Sequence, residues 1–397
     1  MEIYECILSL IAGVGVFILA MKLMSDSLNA IAGARMKAML EAIAGNRFKG
    51  VLVGALVTAV IQSSSATTVM VIGFVNANVM DLNQAAAIII GSNIGTTATA
   101  LLASMESLNI SLYLSLLVFI GVILAFIKKI KKVANLMVGL GMIFVGLKMM
   151  SQACSDDSIK EPFQKILQKI KFPLFLEILG VVFTAIIQSS SAMTGIVLIM
   201  VSQKVMDMYY GLFITLGANV GTCVTALLGI IGANNNSKRT AIIHLIFNIS
   251  GCLLFTPILW IFGDKIIPFL KKLIENEEMQ IAYFHLAFNT ITAIMCTPMI
   301  EFLVLIAKWI IKDPEHQSEI DKLITVNENL DIDMNRNTTA SKSELNALTD
   351  TTSVNSSQKG SNTVTSSEYQ PPTEINSSDV DSQKQGTLSI NDYSEKK

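Results

Sequence analysis

The chain has 397 residues, of which 52% are hydrophobic and 15% are charged, and its formal net charge is −2. Apolar residues occur in runs of membrane-spanning length, a pattern that excludes an ordinary soluble globular protein. The charge is uneven, because residues 313–397 contain 15 acidic and 7 basic residues while residues 1–312 contain 16 acidic and 22 basic residues. The sequence therefore predicts an integral membrane region followed by an acidic tail.

The first half of the membrane region is predicted to contain three spans and one re-entrant hairpin. The spans are residues 7–24, 84–104 and 110–127. Residues 50–80 are too few for two crossings, because one crossing takes about 20 residues. A Gln-Ser-Ser-Ser island lies in the middle of that stretch, so we expect two half-length helices that meet at a polar tip. The glycines within residues 91–95 are expected to interrupt their span.

The second half repeats this order and adds two spans. A span at residues 134–150 is followed by a hairpin at residues 174–205 and a broken span at residues 209–231. The added spans are residues 241–262 and 281–311. The tail has too little apolar surface to offset its chain entropy, so we expect it to be disordered.

The two halves are copies of one another. Residues 54–102 align with residues 180–228 without a gap, at an offset of 126 residues, and 24 of the 49 positions are identical. An odd number of spans separates equivalent helices, so the copies are expected to have opposite orientations in the membrane. The predicted fold is an all-α polytopic membrane protein with two inverted repeats, each with a re-entrant hairpin and a broken transmembrane helix. The predicted divisions are residues 1–132, 133–312 and 313–397.

The densest identity falls in polar islands that contain Ser, Thr, Asn and Gln but no charged side chain. Their oxygens suit Na⁺, and the N-termini of half-helices suit an oxyanion. The predicted oxyanion ligands are Gln62, Ser63, Ser64, Ser65, Gln188, Ser189, Ser190 and Ser191. The predicted sodium ligands are Asn93, Thr96, Thr97, Asn219, Thr222, Thr194 and Thr68. Small residues also permit close helix packing, but packing alone does not require Gln and Asn in both copies. No His or carboxylate is paired with a nucleophile, so an enzyme is not expected.

Two pairs of residues outside the islands have alternative interpretations. Asp81 and Asp207 follow the hairpins at equivalent positions, where capping the next helix is favoured over ion coupling. His244 and His285 each begin a His-x-x-Phe-Asn pattern. A proton or ion role and a hydrogen bond between neighbouring helices are both open for these histidines.

The duplicated Gln-Ser-Ser-Ser, the duplicated Gly-x-Asn-x-Gly-Thr and the run from His244 to Gly251 resemble the type II sodium-dependent phosphate cotransporter family. The resemblance implies symport of inorganic phosphate by alternating access, with Na⁺ as the coupling ion and no other cofactor. It also implies that the two Gln-Ser-Ser-Ser tips form one phosphate site. The alternatives are a Na⁺-coupled carrier of sulfate or a dicarboxylate, and a membrane scaffold protein.

The predicted order of spans places three loops rich in Lys and Arg on the same side of the membrane. Such loops favour the cytoplasmic side. The expected location is the plasma membrane, with many passes through the lipid and a cytoplasmic tail. The tail is a candidate segment for binding regulatory proteins. No nucleic-acid partner is expected.

Overall fold

A computed structural model describes residues 3–41, 46–108, 111–170 and 172–313. Every regular element in these residues is helical, which confirms the all-α prediction. The α-helices are α1 Ile3–Glu41, α2 Arg47–Ile61, α3 Ser64–Asn76, α4 Leu82–Ser104, α5 Ser111–Ala125, α6 Lys131–Cys154, α7 Asp157–Leu167, α8 Pro173–Ile187, α9 Ser190–Ser202, α10 Met208–Gly221, α11 Cys223–Gly229, α12 Asn235–Leu273, α13 Glu277–Cys296 and α14 Ile300–Ile310. The predicted disordered tail lies outside the described residues, apart from Asp313.

Six helical segments of the described chain are long and apolar enough to cross a membrane, which fits a polytopic membrane protein. They are α1, α4, α6 with the short turn before it, α10 joined to α11, α12 and α13. The span predicted at residues 110–127 is α5, which has only 15 residues and is shorter than a full crossing.

Both predicted hairpins are present. Hairpin 1 consists of α2 and α3, with 15 and 13 residues, and hairpin 2 consists of α8 and α9, with the same two lengths. Each helix is too short to cross a bilayer alone. Gln62 and Gln188 turn the chain between the paired helices, and both have a left-handed backbone with φ of 59°. The two tips therefore have the same unusual turn.

The predicted break in the first repeat is wrong, because α4 is continuous through its glycines. These glycines allow close packing: a methyl group at Gly91 would overlap the carbonyl oxygen of Val51 in α2. The equivalent Gly217 has the same relation to the carbonyl oxygen of Glu177 in α8. In the second repeat the helix does divide, at Thr222 between α10 and α11.

A reciprocal contact relates the two repeats. A methyl group at Gly13 of α1 would lie 2.9 Å from the backbone nitrogen of Met150 in α6. One at Gly139 of α6 would lie 2.7 Å from the backbone nitrogen of Met24 in α1. Because Gly139 is the counterpart of Gly13 and Met150 that of Met24, the interface is self-complementary, as a two-fold relation requires.

The hairpins contact widely separated positions along α12, in agreement with inverted repeats. Asn76, where hairpin 1 ends, accepts a hydrogen bond of 3.0 Å from the backbone nitrogen of Asn234 at the start of α12. Phe172, where hairpin 2 begins, packs its ring 5.0 Å from that of Trp260. A helix rises 1.5 Å per residue, so these two contacts lie about 40 Å apart along α12. One hairpin therefore enters from each side of the membrane.

The last predicted span, residues 281–311, is two helices rather than one. Pro298 separates α13 from α14, because proline lacks the N–H that a helix interior needs. The buried guanidinium of Arg239 donates to the carbonyl oxygen of Ile311 at 2.8 and 3.0 Å and lies 2.7 Å from the carboxylate of Asp313. Hydrogen bonds from Arg239 and Asn235 lower the pKa of Asp313. The start of the tail is thereby held beside the first turn of α12.

Candidate functional site

The first serine of each island caps a helix. The Oγ of Ser63 accepts a hydrogen bond of 3.2 Å from the backbone nitrogen of Ala66, and the Oγ of Ser189 accepts one of 3.1 Å from Ala192. Asp81 also has the capping role predicted for it, with a full capping box to Gln84, whereas Asp207 makes no such bond. The serine caps fix each hairpin tip at the N-terminus of a short helix.

Three of the other island serines leave hydroxyl groups available for a ligand. Ser64, Ser190 and Ser191 are buried, and their hydroxyls make no hydrogen bond within the described residues. These serines lie in the first turns of α3 and α9, where backbone N–H groups lack helical partners and the helix dipole is positive. Both features suit an oxyanion.

The two glutamines of the islands have different surroundings. The Oε1 of Gln62 accepts a hydrogen bond of 2.8 Å from the hydroxyl of Thr99 in α4, and its Nε2 donates to the carbonyl oxygen of Ala59. Gln188 is exposed, and its side chain makes no hydrogen bond within the described residues. Both ends of the Gln62 amide are therefore engaged in this conformation, whereas the whole amide of Gln188 is available to a ligand.

Each hairpin packs on the other repeat. The hydroxyls of Ser65 in α3 and Thr225 in α11 share a hydrogen bond of 3.0 Å, although 160 residues separate them. Hairpin 2 contacts the first repeat through packing of α9 on α4. The fold thus brings both islands to the interface between the repeats, which is where secondary transporters bind their substrates.

The predicted sodium ligands fall into two groups. Thr68 and Thr194 are equivalent and fully buried, and no hydrogen-bond partner is present for either hydroxyl among the described residues. Each of the remaining predicted residues donates a hydrogen bond to a backbone carbonyl oxygen three or four residues earlier in the chain. They are Asn93, Thr96, Thr97, Asn219 and Thr222. A hydroxyl that donates to a carbonyl still has lone pairs for a cation.

The histidines also differ from each other. Nε2 of His285 lies 3.1 Å from Oδ1 of Asn219, so His285 joins α13 to α10 and occupies one predicted sodium ligand. This bond supports the helix-locking interpretation for His285. His244 is fully buried, and neither ring nitrogen has a partner in the described structure.

Thr99 and Thr225 were not among the predicted site residues, yet each contacts an island. They occupy equivalent positions in the two aligned copies, so the copies share a threonine there. Each lies three residues after the threonine of Gly-x-Asn-x-Gly-Thr, and residues three apart lie on the same face of a helix. This spacing could have identified them from the sequence.

No charged side chain lies in the islands. The buried charged residues of the described chain are Glu177, Arg239 and Glu278, and the first two bond elsewhere: Glu177 to Thr256, and Arg239 to the end of α14. The candidate site is therefore built from hydroxyls, amides and helix N-termini.

Paired hairpins with uncharged polar tips, set between inverted repeats in a bundle of membrane-spanning length, define a secondary membrane transporter rather than an enzyme. The chain belongs to the Na⁺/Pi-cotransporter family, whose pattern it matches at residues 16–152 and 155–269. The resemblance read from the duplicated islands is thus confirmed.

Several curated proteins are similar to this chain. "Uncharacterized protein YqeW" of Bacillus subtilis is 29% identical over 287 residues, which cover 71% of this chain and 91% of that protein. "Putative inorganic phosphate export protein YjbB" of Escherichia coli is 26% identical over 319 residues, which cover 79% of this chain and 58% of that protein. "Sodium-dependent phosphate transport protein 2B" of Rattus norvegicus is 31% identical over 136 residues, 33% of this chain and 19% of that protein. No solved structure matches the chain.

Proposed function

We propose that this protein carries inorganic phosphate across the plasma membrane by Na⁺-coupled symport with alternating access. The observation that supports it most is the pair of equivalent hairpin tips, each with buried free hydroxyls at a helix N-terminus and no charged side chain. Family membership supports phosphate as the substrate and Na⁺ as its companion.

Charge explains why cations would enter with the anion. Phosphate at neutral pH is largely divalent, and an uncompensated charge in a site shielded from water is costly. Helix N-termini supply only partial positive charge. Na⁺ bound beside the phosphate would supply the remainder, so neither substrate would bind well alone.

The geometry of the tips supports the following roles. Gln188, Ser190 and Ser191, with the first turns of α3 and α9, bind phosphate in the conformation described here. As the hairpins move, the remaining residues of the two tips complete the phosphate site. They are Gln62, Ser63, Ser64, Ser65 and Ser189. Thr68 and Thr194 bind Na⁺ through hydroxyls for which the described residues provide no hydrogen-bond partner.

The direction of net transport depends on the gradients and not on the site itself. One relative carries a name for phosphate export and another a name for sodium-dependent phosphate transport. A symporter moves both substrates in whichever direction their summed gradients favour. We propose uptake, because an inward Na⁺ gradient is the usual condition of a plasma membrane.

The test is transport of ³²P-phosphate into proteoliposomes that contain the purified protein. We expect uptake with an inward Na⁺ gradient, and at most a few per cent of that rate in choline at the same pH. Unlabelled phosphate should compete, whereas equal concentrations of sulfate and succinate should not. Equal uptake in Na⁺ and choline would refute sodium coupling, and strong competition by sulfate would favour the carrier of another oxyanion.

Orientation gives a second prediction. Lys49, at the start of hairpin 1, and Lys169, just before hairpin 2, are both exposed. With a cytoplasmic tail, Lys169→Cys should react with an impermeant maleimide in intact cells, and Lys49→Cys only after the membrane is opened. The five native cysteines are buried and can be left in place for a background control. Labelling of both positions from one side would contradict the inverted arrangement.

A further inference from the structure

The two repeats have the same polar side chains but do not use them equally. Three hydrogen bonds hold the tip of hairpin 1, and we call these bonds the latch. Ser25 of α1 donates to the carbonyl oxygen of Ile61 at 2.8 Å, and Thr99 of α4 donates to Gln62 at 2.8 Å. The third is the 3.0 Å bond between Ser65 and Thr225.

None of the three equivalent bonds is made at hairpin 2 within the described residues. The counterparts by position are Ser151 with Ile187, Thr225 with Gln188, and Thr99 with Ser191. All of these side chains are present in the sequence, so the missing bonds do not reflect missing groups. Gln188 is instead exposed, and the hydroxyl of Ser191 has no partner in the described residues.

Thr99 and Thr225 take part both in the bonds observed at hairpin 1 and in the counterpart pairs at hairpin 2. Thr99 now binds its own repeat, at Gln62, and Thr225 binds the opposite repeat, at Ser65. If the repeats exchanged roles, Thr225 would bond to Gln188 and Thr99 would bond to Ser191. Each threonine would release one hairpin as it engages the other.

We infer that Thr99 and Thr225 are positioning residues that exchange partners between the two hairpins, so that only one tip is latched at a time. The inference rests on the proposed alternating-access function. The structure shows the conformation with hairpin 1 latched. In the opposite conformation, hairpin 2 is held by Ser151, Thr225 and Thr99, while the side chain of Gln62 is free. A carrier built this way presents one free glutamine to each side in turn, since the hairpins enter from opposite faces.

Engineered disulfides test the exchange without any need for transport. In a background with the native cysteines replaced by alanine, Ser65→Cys/Thr225→Cys reports the present conformation, and Thr99→Cys/Ser191→Cys reports the opposite one. A protease site inserted at the exposed Ser155 separates the partners of both pairs, so the two fragments stay joined only if a disulfide has formed. Lys49→Cys/Lys169→Cys is the control, because these exposed residues lie beside the starts of two hairpins that enter from opposite faces.

We expect both reporting pairs to cross-link under mild oxidation, and the control pair to do so at background level. Ser25→Ala removes a bond found only in the present conformation, so it should raise the ratio of the 99/191 cross-link to the 65/225 cross-link. Ser151→Ala should lower that ratio. The loss of one net hydrogen bond corresponds to a shift of roughly threefold to tenfold. Ser27→Ala, which removes only a bond to Leu23 within α1, should leave the ratio unchanged.

Failure of this inference and failure of the proposed function give different results. If the 65/225 pair cross-links but the 99/191 pair never rises above the control, the exchange is wrong, even if phosphate uptake is sodium-dependent. Shifts of equal sign for Ser25→Ala and Ser151→Ala would also overturn it. If both cross-links form and shift oppositely while no phosphate enters proteoliposomes, the exchange stands and the substrate assignment falls.

Discussion

Gly91→Val and Gly217→Val should each leave little folded protein in the membrane. A first methyl group at either position already overlaps a carbonyl oxygen of the hairpin helix beside it, and backbone cannot move aside as a flexible side chain can. Overpacking in a core costs about 1–3 kcal/mol and occasionally more, and a backbone overlap belongs at the upper end. That is a large part of the total stability of a typical domain.

The measurement is the yield of monodisperse protein after mild detergent extraction, together with its melting temperature. Gly73→Val is the matched control, because it lies in α3 of hairpin 1 and a methyl group there meets nothing within 4 Å. The control should retain near-wild-type yield. Normal yield and melting temperature for either test variant would show that the hairpin does not pack on α4 or α10 as described.

These same glycines show where sequence reasoning succeeded and failed. Their recurrence at a fixed offset marks positions where the structure has the same close helix contact in both repeats, but the break that they were expected to cause in α4 is absent. A glycine weakens a helix by only about 1 kcal/mol relative to alanine, and contacts with α2 outweigh that preference. Periodicity within one helix carries no information about which neighbour will lie against it.

The hairpins were predictable because length alone excluded two crossings and the islands marked the turn. The left-handed turn at Gln62 and Gln188 was not, since glutamine has no preference for positive φ. Such turns persist where the surrounding structure compensates for the strain, often at functional sites. The division of the last span at Pro298 could have been predicted, because the residue before a proline disfavours the helical conformation.

The set of candidate ligands stays a prediction, but the structure shows environments for them that the sequence did not indicate. Identity between the copies selected both islands, yet the same sequence places Gln62 against Thr99 and leaves Gln188 exposed. The residues are the same, so the difference lies in their neighbours: Thr99 bonds to Gln62 of its own repeat, whereas its counterpart Thr225 bonds to the other repeat. The sequence of a tip carries no information about which neighbours will lie against it.

Gln62→Ala and Gln188→Ala should both raise the KM for phosphate by about tenfold to a hundredfold, if the two tips act on one phosphate. The loss of one hydrogen-bonding partner in a desolvated site costs about 1–3 kcal/mol, which is that range in affinity. Only Gln62→Ala should also lower the melting temperature of the unliganded protein, because only Gln62 bonds to Thr99 in this conformation.

The assay is initial-rate uptake of ³²P-phosphate at several phosphate concentrations and saturating Na⁺, normalised to the carrier present in the membrane. Gln152→Ala is the control, since that glutamine is exposed near the end of α6 and its side chain makes no hydrogen bond within the described residues, and its KM should stay at the wild-type value. A variant of Gln62 or Gln188 that inserts normally and keeps the wild-type KM would remove its tip from the phosphate site. If only Gln188→Ala affects KM, the site belongs to hairpin 2 alone, and the duplication would then serve the motion of the repeats rather than the binding of phosphate.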